Sequence, residues 1–373
     1  MSTAIRRVVG VWVVIWIGLL VLALFVRKHL SHRPHGYVPW PFGTYAHYDT
    51  SYFVGIARHG YFAHGRDSIE VAFLPGYPEV GRFFAHLAGG AHPAPVYYFA
   101  ALAIVTWCAA IVATVLLFRW LCEVGGEHVA ATGTIAFLVS PYALFLVATY
   151  SEAPFLAFAI GAWLCAGRGR WTSAGLLAAG ASLIRINGIF LLAGLATWWW
   201  REHQGWRRAA ALPLVPPLVA ISGWTLWLRV HTGHWDAWSR AQQRGWYRHE
   251  SWPWTSFRLS VRMLRDARGL PSVLQHGAEL TAVGVLVVAT VLLGRRRMWP
   301  EAVYVGTSTA ALTTSTYYLS VARSTIVMFP LFLLVGTALD PPARQRWRIG
   351  LGVASIVVMG LLATFHLRGT QLG

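Results

Sequence analysis

Charge is scarce in this chain and acid is scarcer: 12% of the 373 residues are charged, and 14 acidic residues stand against 31 basic ones. No polar stretch is long enough to fold around a core of its own, which excludes separate soluble domains. The three cysteines, Cys108, Cys122 and Cys165, fall in or beside apolar runs without metal-ligand spacing, and they read as small core hydrophobes. His59 and His64 lack a third placed ligand, so no metal or other cofactor is predicted. There is no Walker loop or glycine-rich phosphate cradle, which argues against a cytosolic nucleotide donor, and no solenoid repeat or low-complexity tract.

What the chain does have is apolar length. Hydrophobic residues make up 56% of it and the mean hydropathy is +0.50. Long apolar runs lie near 8–26, 96–119, 129–148, 153–167, 209–230, 277–294, 301–319, 324–338 and 347–366, with 172–200 as a special case. They predict an all-α integral membrane protein, a polytopic helical bundle in which 1–373 form one membrane domain. The run from Val8 to Val26 is too long for a signal-peptide core and reads as a retained anchor.

The net charge of +17 would suggest nucleic acid in a soluble protein. Here the positive charge sits in short loops, at Arg6-Arg7, Arg168 and Arg170, Arg207-Arg208, Arg295 to Arg297 and Arg344 to Arg348. That is the positive-inside pattern, with membrane lipids as partners and no nucleic acid. It places 27–95 outside as a long first loop and 231–276 outside as a second, whose tryptophans suit the headgroup level.

The run 172–200 tests this order, because Arg201, Arg207 and Arg208 follow it. Read as two short helices meeting at Ile186-Asn187-Gly188, it enters and returns, and those arginines stay inside. The total is then about eleven helices, against about ten if the run crosses once. An arginine at such depth is tolerated where it faces protein or a wet cavity, so Arg185 and Asn187 are expected beside an external cavity.

The same face receives Asp49, in His47-Tyr48-Asp49-Thr50-Ser51-Tyr52-Phe53, then Glu152 in Tyr150-Ser151-Glu152, and Arg323. A carboxylate among aromatics where the chain leaves the bilayer suits a general base for a lipid-borne substrate, and arginines suit a leaving phosphate. Plainer readings stand beside these. Glu152 also fits a helix-capping turn, Asn187 a helix breaker, Arg323 an interfacial anchor, and the tryptophan-rich loop simple interfacial packing. Gln242 is the polar residue of that loop singled out for a substrate contact.

These residues resemble the PIG-V family of GT-C membrane glycosyltransferases. The resemblance runs through Tyr48-Asp49 with Tyr52-Phe53, Gly60-Tyr61, Phe73-Leu74-Pro75-Gly76-Tyr77-Pro78, Ser140-Pro141, Tyr150-Ser151-Glu152 and Arg185-Ile186-Asn187-Gly188. It continues more loosely at Ala241-Gln242 to Trp246 and at Arg323 before Phe329-Pro330. It implies transfer of a hexose, mannose foremost, from a polyprenyl-phosphate sugar to a sugar hydroxyl of a lipid-linked or cell-envelope glycan acceptor on the external face, with inversion. Asp49 would be the base, Arg185 and Arg323 the phosphate contacts, and Tyr48, Glu152, Asn187 and Gln242 the orienting groups. The family usually has Trp where this chain has Tyr48, which keeps an aromatic wall and bears on sugar or acceptor preference. The Ala-, Gly- and Arg-rich composition suggests a bacterial plasma membrane. A lipid-linked-sugar flippase or transporter is the rival, and it predicts charges continuing to the other face and paired broken helices in pseudo-symmetric halves.

Overall fold

The computed structural model describes residues 3–30, 42, 45–203 and 212–369. Pro34, Pro39, Pro41 and the pair Arg207-Arg208 lie outside the described residues. Every regular element among those described is helical, with one isolated bridge between Glu250 and Ser315.

In chain order the α-helices are α1 (Thr3–His29), α2 (Asp49–His59), α3 (Gly76–Gly89), α4 (Pro95–Leu138) and α5 (Glu152–Gly167). There follow α6 (Trp171–Ile184), α7 (Asn187–Glu202), α8 (Val215–Thr232), α9 (Ala237–Trp246) and α10 (Pro253–Asp266). The last are α11 (Leu270–Arg295), α12 (Trp299–Thr313), α13 (Val321–Ser324), α14 (Pro330–Leu339) and α15 (Gln345–Leu367). Proline opens α4, α10 and α14, where its missing N–H removes no helical bond. Four stretches, Ile5–His29, Pro95–Leu138, Leu270–Arg295 and Pro342–Leu367, are long and apolar enough to cross a membrane.

Three expectations from the apolar runs are corrected. The run 129–148 is not one helix: α4 ends at Leu138, and a 3-10 turn follows at Ala143–Leu146. A proline at 141 disfavours the helical region for the residue before it and lacks a donor of its own. The residues after it are apolar because they are buried, not because they are helical. The run 301–319 ends as helix at Thr313, after which the chain pairs with the loop before α10, through Ser251 N to Thr314 O at 2.7 Å and Thr316 N to His249 O at 3.0 Å. Helix α14 starts at Pro330 and not at 324. Helix α4 itself is broken at Gly126, whose φ of 82° is open to glycine and rare for other residues.

The chain divides into two compact units. The first comprises Met1–Val54, Pro78–Gly161 and Ile326–Leu372. In it α1 packs on α4 and α15, and α14 packs on α4. Helices α4 and α14 meet through glycine. A Cβ on Gly133 would stand 2.5 Å from the Phe332 carbonyl oxygen, and one on Gly336 would stand 2.6 Å from that of Val129. Lipid offers no hydrophobic push between helices, so this close backbone approach supplies packing that larger residues would forbid.

The second unit comprises Gly55–Tyr77 and Ala162–Thr325, with Gly373. Its helices α6 and α7 pack on each other, α6 also on α8, and α7 and α11 on α12. The run 172–200 is thus two helices of 14 and 16 residues. Each is about 21–24 Å long at 1.5 Å per residue, short of the roughly 30 Å hydrocarbon core.

Candidate active site

In the first unit the residues on either side of Asp49 are fastened to two other segments. The Tyr45 hydroxyl donates to Leu19 O of α1 at 2.7 Å, and burial raises its pKa. The Tyr150 hydroxyl donates to His47 O at 2.9 Å, and the buried Thr50 hydroxyl donates to Thr149 O at 3.0 Å. Thr106 of α4 in turn donates to Tyr150 O at 3.2 Å. Two sequence motifs about a hundred residues apart are therefore stitched side by side, and they carry Asp49 and Glu152.

Tyr48 itself has φ of 52°, in the left-handed region that costs a non-glycine residue on the order of 1 kcal/mol or more. The turn lets Ser51 N and Ser51 Oγ both donate to Tyr48 O, at 3.0 and 2.6 Å, and α2 begins directly at Asp49. Asp49 is half-buried. Glu152 is the first residue of α5 and is wholly buried. Its position fits an orienting or capping group better than a proton acceptor for a bulky sugar.

In the second unit Arg185 terminates α6 in extended conformation, with φ −145° and ψ 146°. Its amide closes the helix on Ala181 O at 3.0 Å, and its carbonyl accepts from Gly188 N at 2.9 Å. Asn187 is 5% exposed and opens α7. Gly188 lies on the last turn of α6, where a Cβ would stand 2.4 Å from Ser182 Cα. Gly76, from the Leu74-Pro75-Gly76 motif, approaches the same helix end, a Cβ there falling 2.9 Å from Leu183 O. Ile186 packs on a cluster containing Ile56, Tyr61, Leu74, Trp224 and Ala241. The motifs around 60, 74 and 186 thus share one core.

Arg323 and Gln242 lie elsewhere in that unit, around a polar knot the sequence reading missed. Glu279 of α11 accepts from the backbone N–H groups of Ser320 at 2.9 Å, Val321 at 2.7 Å and Ala322 at 3.1 Å. Ser320, with φ of 60°, makes the left-handed turn that opens α13, on which Arg323 sits. Arg248 donates from Nε to Ser315 Oγ at 2.9 Å, and the Tyr317 hydroxyl donates to Trp246 O at 2.9 Å. Gln242, half-buried on α9, offers its carbonyl to Arg248 N at 3.4 Å. Burial lowers the Arg248 pKa with help from Arg323, against the opposing pull of Tyr317 and Glu279, and the guanidinium remains charged. An acid inside an apolar run, as Glu279 is, was the available signal for this knot.

The second residue missed is His366, near the end of α15 and 2% exposed. Its signal was the same, a titratable group inside an apolar run. Among the described residues no group of three His, Cys, Asp or Glu could hold a metal ion, and His64 is bonded to Glu70 at 3.0 Å.

Residues 35–198 match the family profile described as Mannosyltransferase (PIG-V). No curated protein matches by sequence. In fold the chain is similar to ArnT from Cupriavidus metallidurans in the apo state, with TM-score 0.52 at 18% identity, covering 94% of this chain and 64% of that one. ArnT bound to undecaprenyl phosphate gives 0.53 at 15% identity, with 96% and 64% covered. The archaeal oligosaccharyltransferase AglB from Archaeoglobus fulgidus, in complex with an inhibitory peptide and a dolichol-phosphate, gives 0.52 at 12% identity, with 97% and 56% covered. This chain therefore spans less than two thirds of the length of each of these structures. The chain is thus an integral membrane protein whose residues 35–198 are similar to the PIG-V mannosyltransferases and whose fold is similar to that of ArnT and AglB.

Proposed function

We propose that the protein transfers a hexose, mannose foremost, from a polyprenyl-phosphate sugar to a sugar hydroxyl of a lipid-linked or cell-envelope acceptor, on the face opposite its arginine-rich loops. The observation that carries this reading is the fastening of Tyr48-Asp49 to Tyr150-Ser151-Glu152 inside the region matched to the mannosyltransferase profile. The undecaprenyl phosphate of ArnT and the dolichol-phosphate of AglB support a lipid-phosphate donor.

In this reaction the acceptor oxygen attacks the anomeric carbon from the side opposite the phosphate, while the Asp49 carboxylate takes the hydroxyl proton. The new bond is C–O to the acceptor. The broken bond is C–O to the phosphate, and its electron pair leaves with polyprenyl phosphate, so the anomeric centre inverts. Negative charge grows on the departing phosphate, and Arg185 and Arg323 are the cations assigned to it. Tyr48, Glu152, Asn187 and Gln242 orient sugar and acceptor.

Asp49→Asn keeps size and hydrogen bonding and removes the base. With labelled polyprenyl-phosphate mannose offered to membranes carrying the full chain, transfer should fall about 100-fold or more, with the donor KM little changed. Transfer at the wild-type rate by a normally folded Asp49→Asn protein overturns the assignment.

A further inference from the structure

We infer that His366, on the last helix, is a positioning residue that clamps the strained turn presenting Asp49. The inference rests on the reading of Asp49 as the base, and its placement is particular. His366 projects from α15 into five aromatic rings of the first unit. Its ring lies 6.2 Å from Tyr45 in stacked orientation, 5.4 Å from His47 edge-on and 5.6 Å from Tyr48. The other two are Phe145 at 5.8 Å and Tyr150 at 5.9 Å, both edge-on. Its Nε2 stands 3.4 Å from Tyr45 O, a contact spanning 321 residues of sequence.

A merely space-filling aromatic would touch whatever surrounds it. These neighbours instead come from two short stretches, Tyr45 to Tyr48, which leads into Asp49, and Phe145 to Tyr150, which leads into Glu152. His366 therefore joins the same two segments that the Tyr150 hydroxyl and Thr50 join by hydrogen bonds. The segment needs such restraint. A non-glycine residue persists in the left-handed region only where its surroundings over-determine it, and Tyr48 is the residue whose backbone sets the start of α2.

The side-chain chemistry is also specific. The imidazole fills an aromatic cage as phenylalanine would, and it also brings a nitrogen to a buried carbonyl. A bond donated from Nε2 to Tyr45 O requires the proton on that nitrogen. Leucine would keep much of the volume, lose the edge-on ring contacts and leave that carbonyl without this donor. Glutamine places an amide nitrogen at about the reach of Nε2, so it is the conservative replacement that restores the donor without the ring.

The test uses the full chain and reads two quantities, the first in nanodiscs and the second in membranes. The first is amide hydrogen exchange in the peptide spanning residues 45–53, which contains the Thr50 N to His47 O and Ser51 N to Tyr48 O bonds that define the turn. The second is transfer from labelled undecaprenyl-phosphate mannose in membranes that supply the acceptor. His366→Leu should speed exchange in that peptide, and it should lower kcat about 10- to 100-fold with donor KM unchanged, since misplacing a catalytic group by about 1 Å costs that much. His366→Gln should recover exchange protection and most of the rate. If His366→Leu leaves exchange and transfer at wild-type values while Asp49→Asn is inactive, the clamp is overturned and the base assignment stands. If His366→Leu loses activity only in proportion to lost folded protein and His366→Gln does no better, the clamp is likewise overturned. If Asp49→Asn transfers normally, the functional reading falls, and the exchange data alone decide the clamp.

Discussion

Tyr48 in the first unit and Ser320 in the second both take left-handed backbone conformations just ahead of a candidate site residue, with φ of 52° and 60°, yet they are held by different chemistry. The turn at Tyr48 is held by hydroxyls, carbonyls and rings from Tyr150, Thr50 and His366. The turn at Ser320 is held by one buried carboxylate, Glu279, which takes three consecutive backbone N–H groups. The first arrangement holds the backbone around Asp49 through neutral groups. The second places an anion within electrostatic reach of the guanidinium groups of Arg248 and Arg323 and offsets them. One turn is thus held by neutral groups ahead of an acid, and the other by an acid ahead of a cation.

The sharpest way to break this comparison is to remove each clamp. Glu279→Ala strips two buried amides and one half-buried amide of their acceptor, and at about 1–3 kcal/mol for each unsatisfied group it should destabilise the protein by about 3 kcal/mol or more. Thr50→Val removes a single bond, to Thr149 O, and should cost about 1 kcal/mol. Thermal unfolding in detergent ranks the two. Equal loss would mean that the second turn does not depend on its carboxylate.

Arginine variants sharpen the functional side. Charge-assisted hydrogen bonds contribute about 1.5–3 kcal/mol, so Arg185→Ala and Arg323→Ala should each raise the donor KM about tenfold or more while lowering kcat less. Asp49→Asn should do the reverse. Steady-state kinetics on labelled donor separate the patterns, and an Arg185→Ala protein with wild-type KM and reduced kcat would move Arg185 from donor binding to the chemical step.

Much of the first turn was legible in sequence, because it is built from contiguous motifs. His47 to Phe53 and Tyr150 to Glu152 announce themselves by residue type, and an arginine followed by Asn187-Gly188 in an apolar run announces the break between α6 and α7. The clamps were not legible. His366 reaches Tyr45 across 321 residues, and Glu279 reaches Ser320 across 41, and no local pattern encodes either partner. Apolar runs also misled where buried chain that is not α-helical, such as Ala143 to Ala148, is as hydrophobic as an α-helix. Hydropathy reports burial, and the hydrogen-bonding geometry is set by Pro141 and its neighbours.

The finest probe of the comparison is glycine at each strained position. Glycine takes the left-handed conformation without the Cβ clash, but it also gains freedom when unfolded, so the net relief is about 0.5–1 kcal/mol. Ser320→Gly keeps the backbone N–H that Glu279 accepts and the carbonyl that accepts from Ser324 Oγ at 2.7 Å. It should therefore raise the melting temperature by about 1–2 °C. Tyr48→Gly gains the same relief and loses a ring packed on His47 and His366, so it should melt no higher than wild type and should transfer sugar more slowly. An equal rise for both variants would mean that the rings around Tyr48 add nothing to its turn, and that Asp49 is placed by the backbone bonds of Thr50 and Ser51 alone.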